Sequence, residues 1–90
     1  MTHNLKIEER FADAIVNGTK TFEIRKNDRG YQKGDLIVFA SITTRDTQYY
    51  EMKTNHPIGK NIYQITYVLS GWGLQNGYVA LAIKKVGGDI

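Results

Sequence analysis

The chain has 90 residues, 41% of them hydrophobic and 23% charged, with a net charge of +3 and no cysteine, a composition ordinary for one small globular domain over residues 1–90. Lack of cysteine excludes a disulfide framework, thiolate zinc ligands and a cysteine nucleophile. Met1 to Asn4 lead straight into periodic sequence without an apolar leader, and the longest apolar runs are strand-sized, well short of the roughly 20 residues of a membrane span, so a cytoplasmic protein is expected.

Leu5-Lys6-Ile7 is a short alternating strand. Ile7, Phe11, Ala14 and Ile15 then fall on one helical face, Glu8 and Glu9 favour the first turn, and Asn17-Gly18 predicts the stop. From Thr19 to Lys26 the period becomes two, with Phe22 and Ile24 on an apolar face and Thr21, Glu23 and Arg25 on a charged one. Asn27-Asp28-Arg29-Gly30 and Lys33-Gly34-Asp35 carry turn chemistry. Leu36 to Ile42 is apolar on both faces, as a buried central strand requires.

Thr43 to Lys60 is polar and holds Pro57, with an edge strand expected at Gln48 to Lys53 in a long hairpin. Asn61 to Ser70 alternates Tyr63, Ile65, Tyr67 and Leu69 against Ile62, Gln64, Thr66 and Val68. A glycine-rich connection from Gly71 to Gly77 leads into a last strand, Tyr78 to Val86. One early helix and about five strands predict an α+β fold, a small, mostly antiparallel β-barrel.

The charge is placed unevenly. Lys20, Arg25, Lys26, Arg29 and Lys33 stand against only Glu23 and Asp28 in one short window, and the rest of the chain balances at seven basic and seven acidic residues. An anion-facing surface is built this way.

Gly18-Thr19-Lys20-Thr21-Phe22-Glu23-Ile24-Arg25 reads Gly-x-Lys-x-x-Glu-x-Arg after a short helix. With His3, Leu5 to Ile7, Phe11, the run to Arg29, Gly34-Asp35 and Tyr78 to Leu81, it resembles the ASCH domains of the PUA-like superfamily, in a small bacterial and phage branch of unassigned function. The resemblance implies a PUA-like barrel with a cleft lined by the Lys-Glu-Arg strand, and a role in binding RNA. One small lineage removes the acetyl group from an acetylated cytidine, using a lysine, a threonine three residues later and a glutamate from a later segment. Lys20 matches that lysine, but Glu23 stands at the threonine position. The carboxylates after the Gly34-Asp35 turn are Asp35, Asp46, Glu51 and Asp89.

Three functions follow from these residues. In the first, an RNA-binding or other nucleic-acid-binding module, Lys20, Arg25, Lys26 and Arg29 contact phosphate, Glu23 orients them or accepts from a base, Asn27 belongs to the same surface, and Trp72 stacks. In the second, a small amidohydrolase-like enzyme on a modified nucleoside, Lys20 is nucleophile or base and Glu23 transfers protons. The third is a protein-interaction scaffold using the Thr43 to Lys60 hairpin. The plain alternative for Lys20, Glu23 and Arg25 is a salt-bridged strand face.

Strand alternation puts Lys20 on the other parity from Glu23 and Arg25 unless twist or a bulge brings it round. Trp72 and Tyr49-Tyr50 are stacking candidates, Trp72 equally a plug for the barrel end, while Tyr63 and Tyr67 are expected in the core. No cofactor or metal is expected, since His3 and His56 have no partner at ligand spacing. His56 reads as a loop residue, and His3 is expected near Lys6 at the cleft.

Overall fold

The computed structural model describes residues 1–44, 50–53 and 55–88. Strand β1 (Thr2–Glu8) runs directly into helix α1 (Glu9–Val16), followed by β2 (Phe22–Lys26), β3 (Leu36–Thr44), β4 (Tyr50–Lys53), a 3-10 helix (Pro57–Lys60), β5 (Asn61–Ser70) and β6 (Tyr78–Gly88). The strands form one curled sheet in the order β1-β3-β5-β6-β2, with β4 paired to β3 off this path. The α+β small-barrel expectation holds, as a half-barrel with one helix. The sheet is mixed, because β1 lies parallel to β3 while the other pairs are antiparallel.

Local chemistry accounts for the joints. Glu8 has extended backbone, so the chain turns from strand to helix within one residue. The helix buries Ala12 and Ile15, with Phe11 packed against the core; Ile7, read from the sequence as part of that stripe, is buried from β1 instead. Asn17 caps the helix, and Gly18 takes the left-handed conformation at φ +86, which costs a residue without Cβ little. Lys20 N–H then returns to the Ala14 carbonyl at 3.0 Å, carrying Lys20 back toward the helix.

The core gathers Leu5 and Ile7 from β1, Ile37 and Phe39 from β3, Tyr63 and Ile65 from β5, and Val79, Leu81 and Ile83 from β6. Ile58 of the 3-10 helix is fully buried among them, where the sequence reading saw only a polar hairpin. That helix is capped by His56: Nδ1 accepts from Ile58 N–H at 3.1 Å, so Nε2 carries the hydrogen and meets Asp13 Oδ1 of α1 at 2.7 Å. The expected edge strand is present as β4, while Gln48 and Tyr49 lie outside the described residues.

Two expectations about side-chain facing are overturned. In β5 the register with β6 shifts between Ile65 and Tyr67. Thr66 is the extra residue, its hydroxyl donating to the Ala82 carbonyl at 3.3 Å. A bulge adds one residue and reverses the facing of everything after it. Val68 therefore packs against the core, and Tyr67, expected inside, is 61% exposed. In β2 the period is two but its sign is inverted: Glu23 is buried, while Phe22 and Ile24 are 44% and 50% exposed. Among the described residues no helix is long and apolar enough to cross a membrane.

A charged cleft across the barrel seam

Among the described residues β2 pairs only with β6, and its Glu23 and Arg25 align with the buried Leu81 and Val79. The inner face of β2 thus looks across the open side of the half-barrel toward β1. The outward-pointing carbonyls of β1 supply acceptors there, which is why cations fit on this face better than Phe22 and Ile24 would. Arg25 Nη1 donates to the Lys6 carbonyl at 2.8 Å, and Arg29 Nη1 to the Asn4 carbonyl at 3.1 Å. Two arginines span a gap that a fully closed barrel would fill with a backbone ladder.

The three residues of the signature meet. Lys20 Nζ donates to Glu23 Oε1 at 2.5 Å and to the Phe22 carbonyl at 2.7 Å, and Arg25 Nη1 donates to Glu23 Oε2 at 3.1 Å. The turn before β2, rather than strand parity, brings Lys20 round. Its ammonium also lies 4.9 Å from the Phe11 ring centroid and 5.0 Å from that of Phe22, close enough for cation–π attraction. Both Glu23 oxygens accept from cations, Lys20 on one side and Arg25 on the other. The group is therefore a fixed charge constellation with one net positive charge.

Glu23 and Arg25 of this constellation form one wall of a cleft of about 380 Å³, lined among others by Lys6, Phe11, Arg29 and Tyr78. A larger groove of about 650 Å³ lies at the opposite end of β2, between α1, the 3-10 helix and the β5–β6 pair, with Lys20, Tyr63, Ile83 and Lys85 on its walls. The smaller cleft holds Glu23, Arg25, Lys26 and Arg29, while Lys20 reaches Glu23 from the wall of the larger groove, and the smaller cleft is the candidate site on chemistry rather than size.

The remaining predicted residues take distinct places. Lys26 is exposed at the cleft rim. Asn27 works structurally: its N–H donates to the Gly77 carbonyl at 2.8 Å and its Oδ1 accepts from Tyr31 N–H at 3.1 Å. The first of these bonds ties the turn after β2 to the loop carrying Trp72. Trp72 is 90% exposed at φ 54, between Gly71 and Gly73 at φ 73 and 89, so it is no plug. A bulky residue in the left-handed region is strained, and here it carries an indole that stands in solvent.

His3 is not at the cleft. It is buried, its ring 4.8 Å from that of Tyr31, and its Nε2 donates to Asp35 Oδ2 at 2.8 Å. Sequence reading missed this pair because it joins β1 to a turn 32 residues on. The His3 hydrogen bond is the largest cause holding the Asp35 carboxyl below its ordinary value of 3.8. Burial pushes the other way, and Gln32 N–H and the terminal amino group add to the lowering. Asp35 therefore stabilises the fold fully above its ordinary pKa, and that contribution is lost as pH falls through the lower folded value. Urea midpoints measured from about pH 5 down to about pH 2 are expected to fall less steeply in Asp35→Asn than in the wild type; identical slopes would remove Asp35 from the acid limb.

Fold and site define a small half-barrel protein with a charge-paired cleft at its seam. The chain belongs to the family described as a domain of unknown function, DUF3850, which it matches over residues 2–83. A stretch of 36 residues, 40% of the chain, is 36% identical to an uncharacterized 12.9 kDa protein in the GpA 3' region of Escherichia phage P2, and it spans 33% of that protein's length. The crystal structure of hypothetical protein PH0355 is similar in fold, with a TM-score of 0.59 over 96% of this chain and 100% of that one, at 18% identity.

Proposed function

We propose that the protein binds single-stranded RNA and takes one unstacked base or nucleoside into the seam cleft. The observation that carries this reading is Glu23, a buried carboxylate held between Lys20 and Arg25 beside an open polar cleft. A buried ion pair contributes little net stability compared with apolar residues of the same volume, so this arrangement has a better account in recognition than in folding. About 380 Å³ is at the small end of ligand pockets and suits one nucleoside rather than a duplex. A base has donors and acceptors on its edge that fit such fixed groups. The positive excess in the Lys20 to Lys33 window supplies phosphate contacts around it, with Lys26 and Arg29 at the rim. The likeness of the Gly18 to Arg25 segment to ASCH domains of the PUA-like superfamily supports the same reading.

The test is fluorescence anisotropy of a short labelled RNA, titrated across salt concentrations. Binding is expected to weaken steeply with salt. In a Lys26→Gln, Arg29→Gln variant the slope of log K against log salt should become shallower by about 0.7 for each phosphate that is no longer neutralised. Absence of binding at low salt, or an unchanged slope in the variant, defeats the proposal.

A further inference from the structure

The inverted facing of β2 and the bulge at Thr66 have a joint result on the outside of the sheet. Register places Phe22, Ala82 and Tyr67 in one row across β2, β6 and β5, and Ile24, Ala80 and Leu69 in the next. Phe22, Ile24 and Tyr67 are exposed, and Ala80, Ala82 and Leu69 are partly so. Lys26 stands past one end of these rows and Lys84 past the other, both exposed. This is the face of β2 opposite Glu23 and Arg25, and it meets the cleft rim at Ile24 and Lys26.

We infer that this outer face is a stacking platform for a single strand of RNA, whose bases lie on Phe22 and Tyr67 while Lys26 and Lys84 meet phosphates. The inference rests on the RNA-binding reading above and extends it to a second surface. Three observations favour this occupant. The rings flank Ala82 from either side, two strand spacings apart or about 9.6 Å, with only a methyl group between them, so they do not pack on each other. Phe22 is steadied by the Lys20 ammonium 5.0 Å from its centroid. The third is charge: residues 52–88, which include all of β5 and β6, contain no aspartate or glutamate but do contain Lys53, Lys60, Lys84 and Lys85.

Aromatic rings on a positive, acid-free surface complement a polyanion whose bases are unstacked, because every base has a face to stack and every nucleotide a phosphate. A second copy of the chain is the poorer match, since it would bring the same lysines and no carboxylate to meet them. Trp72 sits on the loop beyond the Ser70/Val79 pair, at the Lys26 end of the sheet.

The test uses the same labelled RNA with variants at exposed positions, together with sedimentation of the protein alone. Tyr67→Ala is expected to weaken binding about ten-fold, Lys84→Glu to weaken it with a reduced salt dependence, and Tyr67→Trp to bind as well as the wild type or better. Wild-type binding retained in both Tyr67→Ala and Lys84→Glu would overturn the platform and leave the cleft reading standing. No binding by the wild-type protein would overturn both. A dimer in sedimentation that Tyr67→Ala dissolves would assign the face to a second copy and overturn the inference.

Discussion

Arg25→Met is expected to destabilise the fold by about 3 kcal/mol in urea denaturation, because removing one partner of a buried pair costs about 3–5 kcal/mol. Arg25 makes two hydrogen bonds that nothing else replaces: it donates to Glu23 Oε2 and to the Lys6 carbonyl across the seam. Methionine keeps the apolar stem but leaves Glu23, whose side chain is 6% exposed, with Lys20 as its partner. Arg25 is itself 23% exposed, so water reaches part of the gap and the lower end of that range applies. For a domain held by about 5–15 kcal/mol, this is a large fraction. Adding Glu23→Gln to Arg25→Met should lower stability further, because it leaves the largely buried Lys20 ammonium without its carboxylate. A single-variant loss under about 1 kcal/mol would place Arg25 among surface salt bridges and remove the seam account.

What the sequence conveyed follows the range of the interactions involved. Helix α1 and its stop at Asn17-Gly18, the turns at Gly30 and Gly34, and the apolar run of β3 were legible because each depends on a few neighbouring residues. Facing was not. Alternation in β2 gives a period but not which set points inward, and that choice rests on the carbonyls of β1, backbone atoms with no signature in the sequence. The bulge at Thr66 was equally hidden, since threonine is an ordinary strand residue and only the register with β6 shows it to be extra. The site divides the same way. Lys20, Glu23 and Arg25 stand out in the sequence by their spacing and charge. Their mutual saturation, the use of Arg25 and Arg29 as seam braces, and the task of Asn27 in holding Tyr31 and Gly77 required the fold.

Phe39→Ala is expected to cost about 3–5 kcal/mol, enough to populate the unfolded chain. Phe39 is 1% exposed on β3, aligned with Leu5 of β1. β3 also pairs with β4 and β5, so it is braced on both sides. Its ring meets Tyr63 edge-on with centroids 5.6 Å apart, which adds about 0.5–1.5 kcal/mol to the area it buries. Deleting a buried ring leaves a cavity whose cost depends on how far its walls can close. Here Ile58, on the short helix that His56 caps, is fully buried in the same core, and the ladders on either side keep β3 from moving inward. Phe39→Leu, which fills most of the space, should cost about 1–1.5 kcal/mol. The contrast is sharpest with Tyr67→Ala, whose ring is 61% exposed and whose loss should shift stability by no more than about 0.5 kcal/mol. Urea denaturation of the three variants checks the ranking. Equal losses at Phe39 and Tyr67 would mean that Tyr67 faces the core after all, and with it the bulge and the outer platform would fail.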